Sequence, residues 1–214
     1  MLFRSTSSWD WKQVAERLAG RRRVVVFDFT GFGLSDKPAA WSYSLFQQAD
    51  LVEKLLQTLG VTETSIASHD MGTSVHSELL ARRDEGRLSF AVRDSIFLNG
   101  SMMQWMARIT PFQELMASNQ SLPQAIELCR TSIETMYVPA LKGLMAAPES
   151  VSAEDEAVLL DLLRFQDGHL RLPAIGGYMR ERYLHADRWL GALERCSSPI
   201  AFLWADADPI AHVE

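Results

Sequence analysis

The stretch Thr64-Ser65-Ile66-Ala67-Ser68-His69-Asp70-Met71-Gly72-Thr73-Ser74-Val75 decides the fold of this chain. It predicts a strand that ends at Ser68, a sharp corner at Asp70 and a helix that begins near Met71. Small side chains must flank such a corner, and Ser68 and Gly72 stand two positions on either side of Asp70. This strand–corner–helix unit, which we call the elbow, lifts one side chain clear of the sheet and aims the first N–H groups of the helix at it.

Within the elbow, Ser68, His69 and Asp70 are the residue types of a catalytic triad, but they are consecutive. Neighbouring residues on a strand point to opposite faces, so these three cannot form a hydrogen-bonded relay. We interpret Asp70 as the candidate nucleophile, Ser68 as the small flanking residue, and His69 as a residue that packs or lines the pocket. The alternative for Asp70 is a helix N-cap, since Asp is a favoured capping residue.

The composition limits the class of protein. The chain has 214 residues, 47% hydrophobic and 22% charged, which is typical of a soluble globular protein with a substantial core. A net charge of -6 without a basic block argues against nucleic-acid binding. Cys129 and Cys196 have no zinc-like spacing, so we expect a reducing, cytoplasmic compartment. We expect no transmembrane segment, because no run approaches the ~18 apolar residues that a membrane span needs.

The first hundred residues alternate between helix and strand and predict the first part of an α/β core, residues 1–100. The apolar runs at 24–29, 64–68 and 95–98 predict strands, while residues 8–18, 45–59 and 71–83 show helical spacing. Continuous apolar strands separated by helices are typical of a parallel sheet covered on both faces.

Beyond residue 100 the pattern changes. Residues 101–195 have helical periodicity and many methionines, and we interpret them as a helical cap over the carboxyl ends of the strands. Residues 196–214 predict a return to the core, with a strand at 199–204 that leads to Asp206 and Asp208. A carboxylate just past a strand end suits an acid that orients a histidine. The alternative for both is turn chemistry, since Asp before Pro favours turns.

Neither a cofactor nor a metal ion is expected. Gly31-x-Gly33 follows a strand, but the third glycine of a dinucleotide fingerprint would fall at Asp36, so we expect these glycines to serve a tight turn. The histidines at 69, 76, 169, 185 and 212 lack the spacing of a metal site.

The chain resembles the α/β-hydrolase superfamily, in the branch of epoxide hydrolases and haloalkane dehalogenases, and within it the mesoderm-specific-transcript-type hydrolases. The resemblance covers nearly the whole chain. It rests on the order and spacing of segments 8–11, 28–38, 43–44, 68–72, 97–100, 189–193 and 203–210.

This resemblance implies a mechanism. The Asp70 carboxylate attacks a saturated or epoxide carbon of a small apolar substrate, and a histidine-activated water hydrolyses the resulting ester. The N–H of Met71 and a second N–H, from the loop after the preceding central strand, hold the oxyanion. Asp208 matches the acid position better than Asp206, and Asn99 falls where some relatives carry an alternative acid.

The sequence departs from the family pattern in three places. Residues 2–3 stand where relatives have a His-Gly oxyanion segment, and the base histidine of the family falls beyond Glu214. His212 lies on the wrong side of the missing strand to replace it. Met71 stands where dehalogenases carry Trp, which argues against halide binding. We therefore expect a fragment or truncated product, in which residues 1–3 cannot replace the central strand.

Three functions remain open from sequence. The first is an enzyme of this superfamily. The second is a non-catalytic or truncated homologue that binds a ligand or partner without turnover. The third is a serine esterase that uses Ser68 or Ser74. In the first case, Tyr137, Tyr178 and Tyr183 are the candidate proton donors, because epoxide hydrolases carry tyrosines in the cap. The oligomeric state is not indicated.

Overall fold

A four-stranded parallel sheet forms the centre of the protein, which is described by a computed structural model over residues 1–3 and 6–213. The strands are β1 (Leu2–Phe3), β2 (Glu63–His69), β3 (Ala91–Leu98) and β4 (Ile200–Leu203), and they lie side by side in that order. Each neighbouring pair runs parallel. The carboxyl ends of the strands therefore meet at one edge of the sheet, which confirms the predicted α/β class.

The crossover helices of the core are close to prediction. They are α1 (Lys12–Ala19), α2 (Leu45–Thr58) and α3 (Met71–Asp84). Helix α2 buries the apolar stripe that the sequence indicates and is capped by the Ser44 side chain. Helix α1 differs: the chain enters it through a short 3-10 turn at Ser8–Trp11, and the helix has no buried residue. Trp11, which precedes α1, makes the buried contact instead.

The β1 edge of the sheet corrects one expectation, the strand at residues 24–29. Leu2–Phe3 pairs with Ala67 and Ser68 of β2 over two residues, which is consistent with the expectation that residues 1–3 cannot replace a full central strand. On its other side Leu2 makes one isolated bridge to Val26, so residues 24–29 do not form the predicted strand. The reason is length, because a two-residue strand offers too few N–H and C=O groups to build a ladder with the next segment.

The loop after residue 29 turns through two glycines, as predicted. Gly31 has φ +96° and Gly33 has φ +49°, both in the left-handed region that glycine tolerates best. A side chain at Gly33 would overlap the carboxylate of Asp28. That carboxylate accepts from the backbone N–H groups of Ser8 (2.5 Å) and Leu34 (2.8 Å), so it ties this loop to the start of the 3-10 turn.

The segment between β3 and β4 is helical within the described residues. Its helices are α4 (Pro111–Ala117), α5 (Leu122–Thr131), α6 (Ile133–Lys142), α7 (Ala153–Arg164), α8 (Leu172–Ile175), α9 (Tyr178–Leu184) and α10 (Ala186–Glu194). Helix α10 packs against α3 of the core. The division into a cap at 101–195 and a core return at 196–214 stays a prediction. No helix in the described ranges is both long and apolar enough to cross a membrane.

A buried carboxylate joins three helices on one face of the sheet. Glu78 of α3 is fully buried and accepts from Nε of Arg82 (2.9 Å), Nε of Arg188 (2.7 Å) and Nε1 of Trp189 (3.0 Å). Arg82 continues to α2, where it pairs with Asp50 and Glu53 at 2.7 Å each. Burial opposes ionisation of Glu78, but the three donors outweigh it, and the pKa of Glu78 is lowered.

Replacement of Glu78 by Gln should lower the free energy of unfolding by about 1–3 kcal/mol, because a neutral amide replaces the buried carboxylate that Arg82, Arg188 and Trp189 share. Arg82 keeps its pairs with Asp50 and Glu53, and Arg188 keeps its pair with Glu85, so the loss is smaller than that for an unpaired buried charge. Urea denaturation measures this change. The matched control is Glu63→Gln, which removes an exposed pair with Arg93 and should leave the free energy of unfolding nearly unchanged. Equal losses from both variants would contradict the assigned role of Glu78.

Candidate active site

The corner predicted at Asp70 is present in the structure. Asp70 directly follows β2 and has φ +51° and ψ −122°, a strained conformation for a residue with a side chain. Its backbone N–H donates to the carbonyl of Asn99 at 3.0 Å. Its own carbonyl accepts from the backbone N–H (3.0 Å) and the hydroxyl (2.6 Å) of Thr73. The corner is thus held from both β3 and α3.

The Asp70 side chain does not cap its own helix, although Asp is a favoured capping residue. The side chain is 39% exposed and lies in the wall of a cavity of about 350 Å³. The geometry therefore differs from the N-cap alternative, in which the carboxylate would fold back onto the first turn of α3.

Close packing at the elbow explains its small residues. Ser68 and Gly72 are both buried, as is Met71 at the first position of α3. Gly100, just after β3, lies so close to Thr73 that a β-carbon there would overlap the Thr73 side chain. Two carboxyl-terminal strand ends and the first turn of α3 therefore meet with little space between them.

Neither Ser68 nor Ser74 is part of the cavity wall. Ser68 is fully buried, and its hydroxyl lies 2.9 Å from Nδ1 of His76, whose Nε2 lies 3.0 Å from the hydroxyl of Ser95. This serine–histidine pair has the composition of a nucleophile and its base, but it is in the core. Ser74 is also buried, and it accepts from Arg182.

Asp208 and Asp70 lie in the wall of the same cavity, together with His69 and Asn99. The Asp208 carboxylate accepts from Nδ2 of Asn99 (2.8 Å) and from the backbone N–H groups of Ile210 (2.8 Å) and Ala211 (2.7 Å). Asp206 is exposed and is not part of the cavity wall.

Asn99 has a role that the sequence did not indicate. Besides its bond to Asp208, its Oδ1 accepts from the backbone N–H of Ala205 at 2.8 Å. One amide side chain therefore connects the end of β3 to the loop after β4 and orients the acid. The partners lie more than a hundred positions apart in sequence, so no local pattern could have revealed this contact.

Only one of the two backbone N–H groups predicted to hold the oxyanion lies within the described residues. The N–H of Met71 belongs to the first turn of α3, where N–H groups have no acceptor within the helix. The second predicted N–H comes from the loop after β1. Residues 4 and 5 of that loop lie outside the described residues, so this prediction is not tested. His212 is not in the cavity wall.

The wall of the cavity is polar near the sheet and apolar toward the cap. Among the predicted tyrosines, Tyr137 and Tyr178 line it, whereas Tyr183 is 56% exposed and does not. Burial raises the pKa of Tyr178 to about 12, and the nearby charge of Asp70 adds to the shift. The apolar part of the wall comes from the cap and from Phe32 (Ile109, Phe112, Met116, Ile133, Met136, Ala140, Leu141, Leu144, Met145, Leu172 and Ile175).

Comparison with known proteins identifies the class. Residues 4–125 match the α/β hydrolase fold family, and the chain belongs to that family. The hydrolase LipZ of Mycobacterium tuberculosis is 36% identical over 207 residues, which are 96% of this chain and 70% of LipZ. The mesoderm-specific transcript protein of Mus musculus is 35% identical over 212 residues, which are 96% of this chain and 62% of that protein. The resemblance inferred from sequence is therefore confirmed.

Solved structures agree on the fold. An α/β hydrolase fold protein from Burkholderia ambifaria has a TM-score of 0.76 at 23% identity and covers 99% of this chain and 74% of its own. The epoxide hydrolase CorEH has a TM-score of 0.69 at 19% identity, and the match covers 95% of this chain and 73% of CorEH. The protein is thus a member of a hydrolase family with the α/β-hydrolase fold.

Titration of His76 should make the protein less stable in mild acid. Burial, followed by the charges of the amino terminus and Arg83, lowers the pKa of His76 from 6.5 to about 3. Below the ordinary pKa the unfolded chain binds a proton that the folded protein does not. The contribution of His76 should therefore reduce the unfolding free energy by about 2 kcal/mol between about pH 7.5 and about pH 5.

Urea denaturation at the two pH values, for the wild type and for His76→Gln, measures this contribution. Glutamine can replace the hydrogen bonds to Ser68 and Ser95 without titrating, so the variant should lose less stability in acid than the wild type. The same loss in both proteins would contradict a neutral buried His76.

Proposed function

We propose that this protein is an epoxide hydrolase-like enzyme in which the Asp70 carboxylate forms a covalent ester with a small apolar substrate. The observation that carries the proposal is the geometry of Asp70. Its side chain leaves a strained corner, does not cap α3, and lies in the wall of a cavity of about 350 Å³. A cavity of this size is in the range of small-molecule sites.

In the first step, one Asp70 oxygen attacks an epoxide carbon, and the bond between that carbon and the ring oxygen breaks. The ring oxygen takes a proton as it becomes a hydroxyl. We propose Tyr178 as the donor, because its side chain lines the same cavity wall as Asp70 and its hydroxyl is held by a hydrogen bond. Gln113 Nε2 donates to the Tyr178 hydroxyl at 3.3 Å and holds its orientation.

In the second step, water hydrolyses the ester. The family resemblance implies a histidine that activates this water, and we propose that Asp208 would orient it; His212 is not in the cavity wall and is not proposed for this role. Asp208 accepts three hydrogen bonds, which fix the position of its carboxylate for this task. Cys129 and Cys196 are both free thiols, which supports our proposal of a reducing, cytoplasmic compartment.

The second candidate function is ligand binding without turnover. It is favoured by the position of His212, which is outside the cavity wall, and it retains the same apolar cavity. A serine esterase is less well supported, because Ser68 and Ser74 are buried and neither is part of the cavity wall.

Asp70→Asn should abolish formation of a covalent adduct, because an amide cannot replace a carboxylate as nucleophile. Wild-type protein is incubated with styrene oxide, an aliphatic haloalkane or an activated ester, and the Asp70 peptide is analysed by mass spectrometry. We expect a substrate-sized adduct with the epoxide. Asp206→Asn, at an exposed carboxylate on the loop after β4, is the control and should retain the adduct.

Analysis of the products then distinguishes the enzyme from the ligand-binding homologue. Adduct formation followed by release of the diol supports the enzyme. A folded protein that binds styrene oxide without adduct or turnover would instead support the ligand-binding homologue and contradict the nucleophile.

Tyr178→Phe should slow adduct formation with styrene oxide by about 10²–10⁴-fold, the usual contribution of a positioned general acid. The phenyl ring preserves the packing over Arg182, so thermal stability should change little. Tyr137→Phe tests the other tyrosine of the wall. A larger loss in Tyr137→Phe than in Tyr178→Phe would assign the proton to Tyr137.

A further inference from the structure

Arg182 of α9 is a cap residue whose guanidinium is buried beside the elbow. Its side chain is 2% exposed. Nε donates to the hydroxyl of Ser74 at 2.8 Å, and Nη2 donates to the backbone carbonyl of Asp70 at 3.1 Å. Nη1 reaches Oε1 of Gln104 at 3.5 Å. One planar fork therefore contacts the corner, the first turn of α3 and the segment that follows β3.

The charge of Arg182 faces the candidate nucleophile. Nη2 lies 3.8 Å from Oδ1 of Asp70, which makes this carboxylate an ion-pair partner of a buried cation. The hydrogen-bond acceptors of the fork are neutral oxygens of Ser74, Asp70 and Gln104. On its other side the guanidinium lies 4.7 Å from the ring centre of Tyr178. Arg182 thus connects the proposed nucleophile and the proposed proton donor.

The two Asp70 contacts differ in kind. The contact with the main-chain carbonyl has hydrogen-bond length, whereas 3.8 Å to Oδ1 is beyond it. The guanidinium therefore fixes the backbone of the corner by a hydrogen bond and attracts the carboxylate by its charge. Such an arrangement orients a nucleophile.

We propose that Arg182 is a positioning residue for the Asp70 nucleophile. This proposal rests on the proposed function. Arg182 holds the corner in its strained conformation, keeps the carboxylate directed into the cavity and makes this alignment depend on the seating of the cap. Sequence patterns could not indicate it, since Arg182 and Asp70 are 112 positions apart.

The test compares Arg182→Lys, which keeps the charge but cannot span the acceptors, with Arg182→Met, which removes the charge at similar size. Each protein is mixed with styrene oxide at several concentrations, and the adduct on the Asp70 peptide is followed by mass spectrometry. We expect the maximal rate of adduct formation to fall about 10- to 100-fold in Arg182→Lys and further in Arg182→Met. The epoxide concentration at half-saturation should stay within about twofold.

Arg82→Met is the matched control. Arg82 is also a buried arginine, but it belongs to α3 itself and its partners are Asp50, Glu53 and Glu78. Its loss should lower stability and leave the rate of adduct formation per folded molecule unchanged. A wild-type rate in both Arg182 variants would overturn the proposal, as would an equal decrease in Arg82→Met.

A second measurement does not depend on the chemistry. Amide hydrogen exchange of the elbow peptide, residues 66–75, should accelerate in Arg182→Lys relative to the wild type and to Arg82→Lys. Unchanged exchange would overturn the positioning role. If wild-type protein forms no adduct but the elbow exchange responds to Arg182→Lys, the proposed function fails while Arg182 still holds the corner.

Discussion

The strained backbone of Asp70 is the constraint on which the rest of the site depends. A non-glycine residue at φ +51° costs on the order of 1–3 kcal/mol, so its surroundings must enforce it. The carbonyl of Asn99 accepts from the backbone N–H of Asp70. The carbonyl of Asp70 accepts from Thr73 and also from Arg182 of α9. Strand β3, helix α3 and helix α9 therefore meet at the backbone of one residue.

Helix α3 carries an ionic cluster near each end, and the two differ in what they can do. Toward its carboxyl end, the buried Glu78 accepts from Arg82, Arg188 and Trp189. At its amino end, Arg182 faces the carboxylate of Asp70, which is 39% exposed and lies in the cavity wall. The same helix is thus anchored by a buried ion network and carries a partly exposed ion pair at the cavity.

The sequence was sufficient for the strand–corner–helix unit at Asp70, the parallel sheet and the strand that precedes Asp208, because small residues around a corner and apolar runs between helices are local signals. It was not sufficient at residues 24–29. These residues have the composition of a strand, but the neighbouring segment Leu2–Phe3 is too short to form a ladder with them. Asn99 and Arg182 were missed for another reason. Their contacts are made across the fold, and neither an amide nor an arginine is distinctive until its partners are known.

The anchoring of the cap at both ends has a consequence for ligand exchange. The segment leaves the core where Gly100 packs on Thr73, and it returns through α10, where Trp189 is bonded to Glu78. Between these anchors, no residue of α4 is fully buried, and the helix is held by partly buried contacts such as Gln113 with Tyr178 and Met116 against the core. Local unfolding of such a helix costs less than global unfolding. Transient opening of α4 would therefore connect the proposed ligand site with solvent while the sheet and the elbow stay intact.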